Sequence, residues 1–80
     1  MSRTLWDLKR GERCLITDFD NALPGKYRTR LIELGFHSGS AVSCVVAPRL
    51  GAPKLYRVSS VVYSMERQIA QLVNIEESGQ

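Results

Sequence analysis

One histidine and two cysteines are the side chains in this sequence best suited to bind a transition metal or to act as a nucleophile. Cys14 and Cys44 lie thirty positions apart and neither belongs to a CxxC pair, so their spacing gives no zinc-knuckle or redox motif. His37 has no plausible nucleophile and orienting carboxylate beside it in sequence. If the strands that carry the cysteines are neighbours, both sulfurs and His37 would form a site for a soft divalent metal.

Simpler roles are the commoner ones for these three residues. A cysteine on the inward face of a strand behaves as a small apolar core residue, which is the role we expect for Cys14 and Cys44. His37 precedes the turn-forming run SGS, where we expect an exposed corner that serves structure or contacts a partner. The sequence therefore predicts no metal site, and these three residues are its weak candidates.

The length and composition indicate one small folded domain. The chain has 80 residues, of which 44% are hydrophobic and 24% charged, and no low-complexity segment. We expect a single domain over 1–80, with a core at about 5–76 and a frayed tail at 77–80. With one histidine and no convergent carboxylates, we predict that the protein is not an enzyme. It also lacks a GxxxxGK motif, so we expect no GTP binding of that kind.

Charge and hydropathy suggest where the chain works. The N-terminus has no apolar stretch suited to a signal peptide, and no window approaches the roughly 20 apolar residues of a membrane span. We therefore expect a cytoplasmic protein with reduced thiols and no direct membrane span. Eleven Lys and Arg against eight Asp and Glu give a net charge of +3, which suits nucleic acid or an acidic protein face equally.

One segment has clear helical periodicity. Four apolar side chains recur at offsets of four, four and three residues: Leu23, Tyr27, Leu31 and Leu34. Pro24 suits the first turn of a helix, and Gly35 suits a left-handed stop. These signals predict a helix over about 24–34, with Tyr27 expected to anchor it to the rest of the fold.

The remaining segments favour short strands. Five runs of β-forming residues are bounded by turns: ERCLITDF (12–19), GSAVSCVVAP (39–48), KLYRVSS (54–60), VVYSM (61–65) and VNIE (73–76). Alternation predicts these inward side chains: Cys14, Ile16, Val42, Cys44, Val46, Tyr56, Val58, Val61, Tyr63 and Met65. TLWDLKRGER reads as a short helical or irregular lead-in, and ERQIAQL as a single helical turn. Together they predict a mostly β fold, a small bent sheet closed on itself with a helix inserted after the first strand.

This order of segments resembles the FeoA family, the small cytoplasmic component of bacterial ferrous-iron transport, whose domain is an SH3-like barrel of about five strands. The resemblance covers nearly the whole chain and is carried by RLIELGFHSG followed by SAVSCVVAPRLGAP. These residues stand where the family's signature residues stand: Arg30, Leu31, Leu34, Gly35, Gly39, Val42, Ala47, Pro48, Leu50, Gly51 and Pro53. Two departures, an inserted Arg49 and Ala52 in place of Asp, predict a reshaped loop tip.

The resemblance implies a non-enzymatic accessory protein, without a cofactor, that binds the cytoplasmic part of the membrane transporter FeoB and modulates transport or GTP hydrolysis. Our hypothesis is that the helix and the APRLGAP loop form the docking surface, with these residues: Leu23, Lys26, Tyr27, Arg28, Arg30, Arg49 and Leu50. A solvated face is the commoner explanation for cations at helical spacing. The sequence leaves self-association open.

Binding of RNA or single-stranded DNA is the alternative function, because small basic β-barrels often bind such ligands. That function needs aromatic side chains exposed beside the cations, on which bases can stack. Tyr56 and Tyr63 are predicted to point inward, so the sequence favours a protein partner and no nucleic acid.

Overall fold

A computed structural model describes residues 3–77, which form six strands, two helices and one 3₁₀ turn. The elements follow in this order: β1 (Arg3–Thr4), the 3₁₀ turn (Leu5–Asp7), β2 (Arg13–Phe19), α1 (Gly25–Leu34), β3 (Ala41–Val46), β4 (Lys54–Val58), β5 (Val61–Met65), α2 (Arg67–Ala70) and β6 (Val73–Glu77). The predicted mostly β fold with one inserted helix is confirmed, but the sheet has six strands rather than about five, so the helix follows the second strand and not the first.

All strands belong to one antiparallel sheet with the order β1-β6-β2-β3-β4-β5. The last strand returns to lie between the first two, so that Arg3 pairs with Ile75 and Cys14 pairs with Glu77. The sequence pattern does not reveal β1, because two residues carry no periodicity. Glu77 ends β6 rather than beginning a tail, and the tail prediction for 78–80 lies outside the described residues.

Most of the predicted inward side chains form the core. Seven of them are 2% exposed or less: Cys14, Ile16, Val42, Cys44, Tyr56, Val58 and Met65. Leu5 and Leu8 of the lead-in are also buried and belong to the same core. Burying such side chains is the main favourable term in folding, so this cluster determines which way each strand faces.

Two predicted inward valines are exposed. Val46 is 38% exposed because the register between β3 and β4 shifts after Cys44, so that Val46 rather than Val45 pairs with Leu55. An extra residue in one strand reverses the alternation beyond it, and a period-of-two pattern cannot reveal this. Val61 is 41% exposed at the start of β5, next to the hairpin turn.

Helix α1 ends where the sequence predicts. Gly35 has a φ of 109°, and its N–H donates to the carbonyl of Ile32, which ends the helix in a left-handed residue. The next N–H, of Phe36, donates to the carbonyl of Leu31 at 2.8 Å, and the Phe36 side chain is fully buried. The glycine therefore turns the chain so that Phe36 enters the core, a role that the helical pattern did not indicate.

The lead-in is held to β4 by side chains that come from the opposite half of the chain. The Lys54 ammonium donates to the carbonyls of Trp6 and Leu8 at 2.6 and 2.8 Å and lies 4.6 Å from the centre of the Trp6 ring. The Tyr56 hydroxyl donates to the carbonyl of Leu5 at 2.8 Å. The carbonyl of Leu5 also accepts from the N–H of Leu8 within the turn, whereas those of Trp6 and Leu8 have no ladder partner and are satisfied by Lys54.

We predict opposite effects for alanine at two glycines of α1. Gly35→Ala should lower the free energy of unfolding by about 1–2 kcal/mol, because an L-residue is strained at positive φ. The added Cβ would lie 3.6 Å from the Val58 methyl groups, an ordinary contact, so the loss comes from the backbone. Gly25→Ala, at the first residue of α1 and with open space around it, should raise it by about 0.4–1 kcal/mol because alanine reduces the freedom of the unfolded chain. Urea unfolding measures both, and equal losses would contradict the assignment.

We also predict that Tyr56→Phe lowers the free energy of unfolding by about 1 kcal/mol, because it removes a buried hydrogen bond and leaves the carbonyl of Leu5 with the Leu8 N–H as its one donor. Tyr63→Phe is the matched control, since the Tyr63 hydroxyl makes no hydrogen bond within residues 3–77. Chemical denaturation should show a loss for the first variant and less than about 0.5 kcal/mol for the second. A loss of the same size in both would exclude a special role for the bond to Leu5.

Candidate functional site

The structure places the two cysteines in the core and the histidine at the surface. Cys14 and Cys44 lie on neighbouring strands, each 1% exposed, and both are free thiols. His37 is exposed, and its Nδ1 lies 3.0 Å from the Ser40 hydroxyl, which donates to the carbonyl of Gly35 at 2.7 Å. Across residues 3–77 there is no cluster of three or more His, Cys, Asp or Glu side chains that could hold a metal ion. His37, Cys14 and Cys44 therefore do not form one site in this structure.

Burial also makes the thiols chemically inert. It raises the pKa of the Cys14 thiol from 9.0 to about 11, and it raises the pKa of the Cys44 thiol as well. The thiolate is the form that attacks electrophiles and binds metals, so both side chains are kept in their unreactive form near neutral pH.

Exposed residues of α1 form the first part of a candidate docking surface. Lys26 and Arg30 are exposed, and Tyr27 is 41% exposed with the Lys26 ammonium 5.4 Å from its ring centre. Arg28 is half-buried because its guanidinium donates to the carbonyl of Leu23 at 3.3 Å. Leu23 itself is 2% exposed and belongs to the core, so we remove it from the predicted docking residues.

The loop over 47–53 forms the second part of this surface. The Leu50 side chain is fully exposed, and its backbone has a φ of 67° beside Gly51 at 77°. Positive φ is uncommon for a residue with a branched side chain, and an exposed leucine gains no burial energy to compensate for it. Arg49 and Pro48 are exposed beside it. The predicted loop residues therefore lie at the surface, with an apolar tip and an adjacent cation.

A groove of about 320 Å³ joins the helix to the end of this loop and to the sheet. It is lined by these residues: Tyr27, Arg30, Leu31, Pro53, Tyr63, Ser64, Met65, Glu66 and Ile69. The sequence predicts a docking surface from α1 and the loop, but it does not predict that β5 and α2 line a groove beside them. Each of these segments is unremarkable alone, and only their packing creates the groove.

The predicted signature residues shape the backbone around the surface. Leu31 is buried and Leu34 half-buried, which fixes α1 on the sheet. Gly39 has a φ of 89° and donates to the carbonyl of Ile16 at 2.7 Å, so it turns the chain from α1 towards β3. Neither helix within the described part of the chain is long and apolar enough to cross a membrane.

We predict that neither thiol reacts with an aromatic disulfide reagent in the native protein at about pH 8, and that both react once urea unfolds it. The pKa of Cys14 is raised in the folded state, so between pH 9.0 and about 11 the unfolded thiol loses its proton while the folded one keeps it. The free energy of unfolding should therefore fall as the pH rises through this range, and fall less steeply in Cys14→Ala. Rapid native labelling would contradict the burial.

Comparison with solved structures gives close matches in fold. The FeoA protein of Chlorobium tepidum, solved by NMR, matches with a TM-score of 0.86 and 25% identity, covering 96% of this chain and 71% of that one. FeoA of Stenotrophomonas maltophilia, solved with zinc and described as a prokaryotic SH3 domain protein, matches with a TM-score of 0.81 and 25% identity, covering 92% and 89%. A manganese-dependent transcriptional repressor shares the fold at 13% identity, with a TM-score of 0.83, covering 95% and 41%.

Comparison with family models identifies the domain itself. The model of the FeoA domain matches residues 3–77, which is the whole described part of the chain. A search of curated proteins finds no match. The resemblance noted in the sequence is confirmed, and so is the SH3-like fold that it implied. The chain belongs to the FeoA family.

Proposed function

We propose that this protein is a non-enzymatic, cytoplasmic accessory protein of bacterial ferrous-iron uptake, which binds the cytoplasmic part of a FeoB-type transporter and modulates transport or GTP hydrolysis. Family membership supports the link to iron uptake. The FeoA of Stenotrophomonas maltophilia is itself described as a candidate activating factor of ferrous iron transport. We transfer that role to this chain.

The observation that carries the proposal is Leu50. Its side chain is fully exposed on a left-handed backbone, with Arg49 beside it. An apolar side chain that gains nothing in the free protein can gain burial energy in a complex, as the central side chains of protein interfaces do. The cations of α1, Lys26 and Arg30, would then form a polar rim that attracts an acidic partner.

Any effect on GTP hydrolysis has to act through contact. The sequence has no GxxxxGK motif with which to bind the nucleotide, so the chain would act by binding one conformation of the transporter's GTPase region better than another. The size of the effect is then set by the difference between these two affinities.

Nucleic-acid binding has less support from the surface. Tyr56 is fully buried and Tyr63 half-buried, and Tyr27 is the one exposed aromatic side chain within residues 3–77. One exposed ring offers a platform for one base, whereas single-strand binding proteins stack several. A protein partner therefore remains the better proposal.

Titration calorimetry of the soluble GTPase region of the transporter against three variants tests the proposed surface. We expect Leu50→Ala to weaken binding about tenfold because it removes the apolar anchor, and Arg30→Ala about threefold because it removes a rim cation. Arg10→Ala removes an equally exposed cation from a turn outside the surface and is the matched control. It should change the affinity less than about twofold.

Two outcomes would count against the proposal. If the wild-type chain does not bind the GTPase region at low salt, the assigned partner is wrong. If binding occurs but Arg10→Ala weakens it as much as Arg30→Ala does, the interaction is a general charge attraction and not docking at the named surface.

A further inference from the structure

Strand β5 is the last strand of the sheet and pairs only with β4. The two strands are joined by the two-residue turn of Ser59 and Ser60, which Val58 and Val61 close as a pair. The pair that closes such a turn exchanges both of its hydrogen bonds, and the bonded pairs alternate along an antiparallel ladder. The bonds of β5 to β4 therefore come from its first, third and fifth residues.

The second and fourth residues of β5, Val62 and Ser64, direct their N–H and C=O groups away from β4. No other hydrogen bond formed within residues 3–77 uses these four groups. Outward N–H and C=O groups on every second residue are the pattern that a further antiparallel strand can pair with.

The free edge of β5 also lacks the devices that normally prevent strand addition. Exposed edges are usually short, charged, or interrupted by proline or a bulge. The opposite edge strand follows this rule, since β1 has two residues and one of them is Arg3. By contrast, β5 has five residues without charge, proline or register shift, and Val62 is 45% exposed.

The groove described above runs directly beside this edge. Tyr63, Ser64 and Met65 of β5 line one wall, and Leu31 of α1 and Ile69 of α2 line the others. A strand added to β5 would direct every second side chain to the core side of the sheet, where the groove lies. Backbone donors and acceptors thus stand beside an apolar pocket, the combination by which sheets bind extended peptides.

The charges around the edge favour an acidic segment. Arg30 lines the groove, Arg57 lies opposite Val62 in β4, and neither forms an ion pair within the described residues. Glu66 is the one carboxylate among the residues that line the groove. The net charge of +3 has the same sign. Residues two positions apart in a strand lie on the same face, about 7 Å from each other. An incoming segment could therefore place one apolar side chain in the groove and a carboxylate two positions away beside Arg30.

We propose that the free edge of β5 accepts an extended segment of the transporter's cytoplasmic part as an added strand, with an apolar side chain in the groove and an acidic one beside Arg30. This inference rests on the proposed function. It adds the mode of binding: main-chain hydrogen bonds give affinity, and the groove and Arg30 give selectivity for an apolar and an acidic residue two positions apart.

Proline at the free edge tests the mode of binding. Ser64→Pro removes an N–H that faces away from β4, so it blocks strand addition while keeping the ladder bonds of β5. Ser64→Ala is the matched control, because it removes the hydroxyl and keeps the N–H. Against the soluble GTPase region, Ser64→Pro should weaken binding about tenfold or more and Ser64→Ala less than about twofold.

The outcomes separate this inference from the proposed function. If the wild-type chain does not bind, both fail; if all three proteins bind equally, only the β5 inference fails. Amide exchange measured by NMR on the wild-type complex gives a second test that needs no variant: the amides of Val62 and Ser64 should exchange fast in the free protein and slowly in the complex. Unchanged exchange would overturn the inference, as would a dimer of the free chain in sedimentation experiments that Ser64→Pro, and not Ser64→Ala, converts to a monomer.

Discussion

The bonds from Lys54 and Tyr56 to the carbonyls of the lead-in are the constraint on which the rest of the structure depends. Three carbonyls of the lead-in accept these bonds, and its side chains Leu5 and Leu8 are buried in the core. The carbonyl of Leu5 also accepts from the N–H of Leu8, but without Lys54 the carbonyls of Trp6 and Leu8 would lose their donor where the lead-in packs on the core. Burial also raises the pKa of the Tyr56 hydroxyl, which keeps this donor protonated.

The same bonds determine the position of the candidate docking surface. Lys54 directly follows the loop over 47–53, so the end of this loop is held to the body of the protein while its tip at Leu50 extends into solvent. Gly35 has the matching role for α1, since it ends the helix and directs Phe36 into the core, where its ring packs 5.9 Å from that of Tyr63. The packed core thus holds exposed leucine, arginine and tyrosine side chains at defined places. Binding residues on loops are commonly positioned by a rigid scaffold in this way.

Sequence reasoning predicted the elements of the fold well and the surfaces less well. The period-of-two pattern identified the strands and most inward residues, because burial on one face makes that pattern nearly obligatory. It placed Val46 wrongly, because a bulge leaves no signal in composition. Tyr27 follows the helical period of Leu31 and yet is 41% exposed, since α1 packs with only a narrow stripe of its surface. The groove escaped detection because it arises from segments distant in sequence.

The pairing of β1 with β6 has a consequence for folding during synthesis. Arg3 pairs with Ile75, and the lead-in takes its donors from residues about fifty positions later. During synthesis the lead-in therefore leaves the ribosome before its hydrogen-bond donors do. Strand β1 cannot join the sheet until β6 has emerged, because β6 lies between β1 and β2. Loop closure over such separations slows folding, so the nascent chain waits with Leu5, Leu8 and the edge of β2 uncovered.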